Sequence, residues 1–329
     1  MKTIRWGMIG CGDVTEVKSG PGFYQSERSA LLGVSNRTLD KAHSYARRHG
    51  VPRVYPEVSS LLADREIDAV YIAVPPVDHK ALTLQAAAAG KHIYVEKPMG
   101  INHAECQEMI AACAHSGVRL YVAFYRRAMP RFIQVKKWID EDAIGAVCAV
   151  SVLQRQKPAL EELSPDTLPW RVRGEISGGG KFLDMGAHVL DALIWWFGPI
   201  TEVHGVAGNR RGLYPVEDTV SACWRHASGV SGAGSWCYVC DDEADRIIIT
   251  GTRGRIEFGF FSDAPLNLHR EGSAEEVHIP NPPHVQQPLI QSVVDELCGI
   301  RASLCDIHAA AMVSAVTDRI LGKSSVFPA

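Results

Sequence analysis

The chain has 329 residues, a formal net charge of −3, and 46% hydrophobic and 22% charged residues. That is an ordinary globular composition with enough length for two hydrophobic cores. The near-neutral balance excludes the basic footprint of a nucleic-acid or membrane-surface binder, and no apolar stretch is long enough to span a membrane.

Residues 3–9 read as a buried strand running into the turn Gly10-Cys11-Gly12-Asp13-Val14 and then a helix. Gly10 suits a tight turn, and Gly12 lets backbone N–H groups approach the phosphates of a dinucleotide. The partial positive end of the following helix favours the same anion. The third small residue of the dinucleotide fingerprint is replaced by Thr15. A Gly-x-Gly is also found in ordinary strand–helix turns, but its place directly after an apolar run favours nucleotide binding. Residues 30–35 read as the next parallel strand, with Ser35-Asn36-Arg37-Thr38 at its tip. No carboxylate stands there to accept the ribose hydroxyls of NAD. A guanidinium beside small hydroxyl and amide groups suits a 2′-phosphate, so NADP(H) is favoured, with NAD(H) the alternative.

Strand-like runs at 68–74, 91–95 and 119–124 alternate with helical stretches at 82–89 and 104–116. This is the rhythm of a doubly wound parallel sheet, which binds ligands beyond the C-terminal ends of its strands. The segments past those ends are Val74-Pro75-Pro76, Glu96-Lys97-Pro98 and Tyr125-Arg126-Arg127. Pro98 biases Lys97 toward an extended backbone, from which it is expected to point into the nicotinamide cleft. The plainer alternative is a loop lysine paired with Glu96.

After residue 124 short β-rich runs dominate, at 146–154, 202–208, 220–224, 230–240, 246–250 and 255–260, and imply a mostly antiparallel sheet. One helix interrupts them, from Asp184 to Phe197, and the tail 286–321 is helical. Asp184 reads as a natural N-cap, and His188, four residues on, shares its helix face. Gly178-Gly179-Gly180 would let backbone come close to a ligand.

These pieces together resemble the glucose–fructose oxidoreductase/inositol dehydrogenase (Gfo/Idh/MocA) family. The resemblance rests on the glycine turn, Val74-Pro75-Pro76-x-x-His79, Glu96-Lys97-Pro98 and Gly178-Gly179-Gly180-x-x-x-Asp184-x-Gly186-x-His188, in that order. It implies an α/β chain: an N-terminal Rossmann domain over 1–124, and a C-terminal α+β domain over 125–329 with a large, open, mostly antiparallel sheet. It also implies a homodimer or homotetramer formed through that sheet, and a sugar, polyol or related hydroxy compound as substrate. Lys97, Asp184 and His188 would form the catalytic group. Cofactor contacts would fall on Gly10, Cys11, Gly12, Asp13, Val14, Ser35, Asn36, Arg37, Val74, Pro75, Pro76, His79, Glu96 and Lys97, and on Arg171 of the pair Trp170-Arg171. Arg126, Arg127 and Trp170 would join the catalytic group around the substrate. The chain departs from the family pattern at Thr15, at Asn36, and at Tyr125, where Asn is frequent.

Two other readings compete with a dehydrogenase. One is a redox-neutral, glycosidase-like enzyme with tightly bound NAD(P). The other is a dinucleotide sensor without catalysis, which the Lys97/His188 pair argues against. Nine cysteines, an odd number without framework spacing, fit reduced thiols and a cytoplasmic protein. Cys237 and Cys240 form the one close pair, in a run that reads as strand, where residues three apart face opposite sides. The 13 histidines show no metal-ligand spacing, so no metal is expected. Substrate identity and reaction direction lie beyond the sequence.

Overall fold

A computed structural model describes residues 2–323; Met1 and residues 324–329, at the outer ends of the two expected domains, lie outside the described residues. The chain divides into two compact units: Met1–Gly100 with Ala104–Met129 and Pro282–Ala311, and Ile101–His103 with Pro130–Asn281 and Met312–Ala329.

The first unit is built on β1 (Ile4–Ile9), β2 (Ser29–Ser35), β3 (Arg53–Tyr55), β4 (Ala69–Ile72), β5 (His92–Val95) and β6 (Leu120–Val122). Their order is β3-β2-β1-β4-β5-β6, with every neighbouring pair parallel. The order reverses between β1 and β4, where a doubly wound sheet opens a crevice for ligand. Nearly continuous burial of β1, β4 and β5 follows from helices covering both faces. Gly7 shows how closely: a Cβ there would lie 2.6 Å from Leu61. The half-buried edge strand β3 is too short to show a pattern in sequence.

The helix after the glycine turn is a single turn, Asp13–Glu16, so an extended helix dipole is not what this site offers. The tail is two helices, Gln287–Leu297 and Ile307–Ile320, rather than one. The chain breaks after the first with Gly299 at φ 73. The helix Gln287–Leu297 buries Leu289, Ile290, Val293 and Val294 in the core that holds Trp6, Met8, Phe23, Tyr71 and Tyr94.

The second unit is built on β7 (Val147–Arg155), β8 (Ile200–Gly208), β9 (Thr219–His226), β10 (Ser231–Cys237), β11 (Ala244–Gly251), β12 (Gly254–Phe258), β13 (Leu266–Arg270) and β14 (Ser273–Val277). The order is β14-β13-β12-β11-β7-β10-β9-β8. All pairs are antiparallel except β7 with β10. Strict alternation in β9 and β10 buries one face only. The helix Ala187–Phe197, apolar nearly all round, lies in that core, where Trp196 meets Phe132 and Phe258, while Phe182 meets Trp236. β14, Ser-Ala-Glu-Glu-Val, is exposed and carries no apolar alternation to announce it.

One local expectation is overturned. β10 ends at Cys237, and the chain then turns so that Cys240 lies outside the strand with its thiol close to that of Cys237. Burial, then that contact, pushes the Cys240 thiol up to about 11, so it stays protonated. Among the described residues no helix is long and apolar enough to cross a membrane, and no group of three or more His, Cys, Asp or Glu is placed to hold a metal.

Candidate active site

In the first unit, the glycine turn is shaped by what its glycines lack. Gly10 has φ +98, and a Cβ there would lie 2.4 Å from the Ala73 carbonyl oxygen, so only glycine fits. Its N–H donates to Ser35 O at 2.8 Å. At Gly12 a Cβ would meet nothing within 4 Å. That open cradle, at the switch point of a parallel sheet, fits a dinucleotide pyrophosphate. Thr15, the departure from the fingerprint, is fully buried. Its hydroxyl donates to Gly12 O at 2.7 Å, and its carbonyl accepts from Tyr45 Oη at 3.1 Å. Close packing falls instead to Gly20, whose Cβ would lie 2.0 Å from Thr15 O.

Asn36 ties this turn to the tip of β2. Its Oδ1 accepts from the Cys11 N–H at 3.2 Å, and its Nδ2 donates to Thr38 O at 3.0 Å. Ser35 is buried and serves the turn through its carbonyl, whereas Asp13 and Arg37 are exposed. Burial pushes the Cys11 thiol up to about 12, with the Glu16 charge adding to it, so it sits in the turn as a neutral group.

His79 is wholly buried, with Nδ1 2.9 Å from Pro98 O and Nε2 2.8 Å from Val74 O. Burial holds its pKa below the ordinary histidine value against the pull of those carbonyls. The His79 ring thus joins the segment Val74-Pro75-Pro76, at Val74 O, to Glu96-Lys97-Pro98, at Pro98 O. The Lys97–Pro98 peptide is cis, and Lys97 itself is half-buried. Glu96 Oε1 accepts from Tyr71 Oη at 2.6 Å and from Gln286 Nε2 at 2.7 Å, while Oε2 faces the Lys97 N–H at 3.2 Å. Arg126 and Arg127 lie buried on the turn Tyr125–Ala128 after β6, with the Arg126 guanidinium 5.6 Å from the centre of the Tyr125 ring.

In the second unit, the Arg171 guanidinium stacks 4.5 Å over the Trp170 ring. Its Nε donates to Asp184 Oδ2 at 3.2 Å. Asp184 is not an N-cap: it lies inside a wide π-helical turn, Phe182–Gly186, ahead of the regular helix, and no side chain caps either. Such turns recur at functional sites. Gly186 permits this one, since a Cβ there would lie 2.4 Å from the Phe182 ring. Two glycines of the run make close contacts within the protein. A Cβ on Gly178 would lie 2.7 Å from Ile101, and one on Gly180 would lie 2.3 Å from Glu217 O. The Gly180 N–H also donates to Glu217 Oε1 at 2.8 Å.

His188 stands in the first turn of Ala187–Phe197 and is 5% exposed. The ring of Phe261 meets it edge to face at 6.4 Å. Sequence reading missed Phe261 and what holds it. Asp245 accepts backbone N–H bonds from Phe260, Phe261 and Ser262 at 3.0, 2.6 and 2.9 Å. The buried Arg131 donates to the carbonyls of Gly259 and Ala264 at 3.1 and 3.0 Å, and to that of Ser262. Gln286 was also missed, since the segment His284-Val285-Gln286-Gln287-Pro288 carries no motif that assigns it a role.

Both units of the chain are similar to known proteins. The family described as "Oxidoreductase family, NAD-binding Rossmann fold" matches residues 4–124, and the "GFO/IDH/MocA C-terminal domain" matches residues 132–257. The chain is 35% identical over 319 residues to "Oxidoreductase P35" of Formosa agariphila, covering 97% of this chain and 98% of that one. It is 27% identical over 284 residues to trans-1,2-dihydrobenzene-1,2-diol dehydrogenase of Sus scrofa, covering 85% and 81%. The structure of a levoglucosan dehydrogenase in complex with NADH and levoglucosan superposes with a TM-score of 0.85 at 22% identity, covering 98% and 97%, a likeness of fold.

Proposed function

The chain belongs to the Gfo/Idh/MocA oxidoreductase family, with an NAD(P)-binding Rossmann domain, and on that premise we propose that it is an NADP(H)-dependent dehydrogenase or reductase. Its substrate is a hydroxyl or carbonyl compound of the sugar or polyol class. When bound, the dinucleotide supplies the hydride acceptor or donor. The observation that carries the reading is the intact set Lys97, Asp184 and His188. Lys97 stands two residues past the end of β5, Asp184 lies in the π-turn Phe182–Gly186, and His188 lies in the first turn of the apolar helix that follows it.

His188 takes the hydroxyl proton as the substrate is oxidised and returns it in the reverse direction, a task suited to an imidazole near neutrality. Lys97 hydrogen-bonds the reacting oxygen and offsets the negative charge that develops there. Asp184, held by Arg171, orients the hydroxyl compound. Asn36 and Arg37 favour the 2′-phosphate. Asn36 is already engaged with Cys11 and Thr38 in place of a ribose-binding carboxylate, and the exposed Arg37 supplies a cation. For the substrate class, the reading draws on relatives named for a cyclic 1,2-diol and for levoglucosan.

The test begins with NADPH and NADH titrated side by side, followed by nicotinamide fluorescence. Turnover is then screened with levoglucosan, trans-1,2-dihydrobenzene-1,2-diol and a panel of sugars and polyols. Lys97→Ala and His188→Ala should each abolish turnover while NADPH still binds. Undiminished turnover in both variants refutes the assignment.

The same reading includes a homodimer or homotetramer formed through the second sheet. Its support is the exposed row of small residues Ser221, Cys223, Ser231, Ala233 and Ser235 along β9 and β10, which ends at Arg225. Light scattering of the purified protein decides this, and a monomeric mass refutes it.

A further inference from the structure

The first unit contains a buried polar network that the proposed chemistry does not use. Tyr71 of β4, Tyr94 of β5, Gln286 and Ser19 are all fully buried, and Glu96 nearly so. Glu96 Oε1 accepts two hydrogen bonds, from Tyr71 Oη at 2.6 Å and Gln286 Nε2 at 2.7 Å. Gln286 Oε1 in turn accepts from Tyr94 Oη at 3.1 Å. Ser19 Oγ lies 2.8 Å from the Tyr71 oxygen. The other oxygen of Glu96 faces the Lys97 N–H at 3.2 Å. Burial, reinforced for Tyr71 by the Glu96 charge, raises both phenols well above the ordinary tyrosine value, so both stay protonated and remain donors.

Gln286 also anchors elsewhere. Its N–H donates to Lys18 O at 3.0 Å, and two residues earlier His284 Nδ1 lies 2.6 Å from Val17 O. The short strap 284–286 thus grips the chain just after the glycine turn and reaches from there to Glu96. A buried carboxylate holding three donors is a rigid object, because loosening any one partner leaves a buried polar group without its bond.

We propose that Gln286 and Tyr71, acting through Glu96, are positioning residues for Lys97, and that the strap 284–286 joins the glycine turn to the lysine loop. The proposal rests on the role given to Lys97 above, and it names residues from a segment to which no chemistry was assigned. Gln286→Met keeps side-chain length and removes both hydrogen bonds. Tyr71→Phe keeps the ring against Phe23, a stacked contact at 4.6 Å, and removes the donor. Gln286→Glu is the discriminating variant. At high pH it sets two carboxylates against each other, while at lower pH the pair shares one proton and the bond re-forms.

The test that needs no substrate is acylation of the protein with the N-hydroxysuccinimide ester of acetic acid. Modification of Lys97 is read by peptide mass spectrometry relative to Lys2 and Lys136. In Gln286→Met and Tyr71→Phe, Lys97 should react about fivefold faster than in the unaltered protein, relative to those references. In Gln286→Glu its relative rate should approach the unaltered value as the pH falls from about 8 to about 6. With any substrate that the screen identifies, kcat should fall on the order of 10- to 100-fold while KM and the NADPH Kd change little. Relative Lys97 rates unchanged in all three variants would overturn the proposal, as would a pH-independent Gln286→Glu. If Lys97 reactivity moves as expected but Lys97→Ala retains full turnover, the positioning stands and the catalytic reading of Lys97 falls instead.

Discussion

Replacing Arg37 with alanine isolates the cofactor argument. Arg37 is exposed at the tip of β2, so its loss should leave stability within about 0.5 kcal/mol. A charge-assisted bond to a phosphate contributes about 1.5–3 kcal/mol. At about 1.4 kcal/mol per decade, the NADPH Kd should rise roughly 10- to 150-fold, with NADH unchanged because it has no 2′-phosphate. Asn36→Asp tests the same point by the opposite route. The carboxylate keeps an acceptor for the Cys11 N–H now bound at 3.2 Å but loses the donor to Thr38 O at 3.0 Å. Its added charge should repel a 2′-phosphate and offer the ribose hydroxyls an acceptor, so NADPH weakens and NADH tightens. Nicotinamide fluorescence at two salt concentrations measures both variants. The NADPH preference should shrink in high salt, as a surface charge contact must. Equal weakening of both nucleotides by Arg37→Ala, or no weakening of either, refutes recognition of the 2′-phosphate by this residue.

The two glycines of the turn should separate by assay. Gly10→Ala forces a left-handed backbone, costing about 1–2 kcal/mol, and drives a Cβ onto the Ala73 carbonyl, so the melting temperature should drop. Gly12→Ala should melt like the unaltered protein yet lose NADPH binding, because its Cβ enters the open cradle; retained binding would show that the pyrophosphate does not sit there. In the second unit Lys181 pairs with the buried Glu162 at 2.7 Å. Lys181→Met leaves that carboxylate without its cation and should cost about 3–5 kcal/mol in denaturant titration; a loss well under 1 kcal/mol contradicts this. Stability should also fall on the acid side. His226 is buried, with Nδ1 2.7 Å from Gly198 O, and burial holds its pKa below the ordinary value of about 6.5. The unfolded chain takes up the proton first, so this contribution is complete above about pH 6.5 and is lost as the pH falls through the folded value. His226→Gln should flatten that part of the melting-temperature profile, and an unchanged slope would remove His226 from the account.

What the sequence shows of this molecule follows from how each feature is encoded. A parallel sheet buried on both faces is written as apolar runs, so β1, β2, β4, β5 and β6 are legible, and the residues past their ends are candidates by topology alone. β3, with three half-buried residues, and β14, which is polar, carry no such run. Capping logic placed Asp184 at a helix start because an aspartate before an apolar run usually stands there. The π-turn overrides it. Gly186 lets the backbone close on Phe182, which draws Asp184 inside the turn and gives its carboxylate to Arg171, thirteen residues earlier.

The functional groups missed are those whose meaning is a partner far along the chain. Glu96 and Gln286 are 190 residues apart, and neither amide nor carboxylate announces the other in sequence. Asp245 reads as one more acidic residue near 241–243 until its oxygens are seen collecting three N–H groups from residues 260–262. Each carboxylate, Glu96 buried and Asp245 half-buried, collects three donors, and each holds a segment beside a residue of the proposed catalytic group: Lys97 in one unit, and Phe261 against His188 in the other. Motif reading finds groups that meet a ligand, because their chemistry is a property of the residue type. The groups that aim them are chosen by geometry, and a glutamine or an aspartate acquires that role only from the fold. It follows that substitutions at Gln286 or Asp245 should alter turnover more than their distance from any motif suggests, with Asp245→Asn the milder of the two. Asp245→Asn keeps one acceptor oxygen for the loop, whereas Gln286→Met keeps neither of its side-chain bonds. The reverse ranking would mean that the loop 259–262, and not the lysine strap, is the more sensitive support.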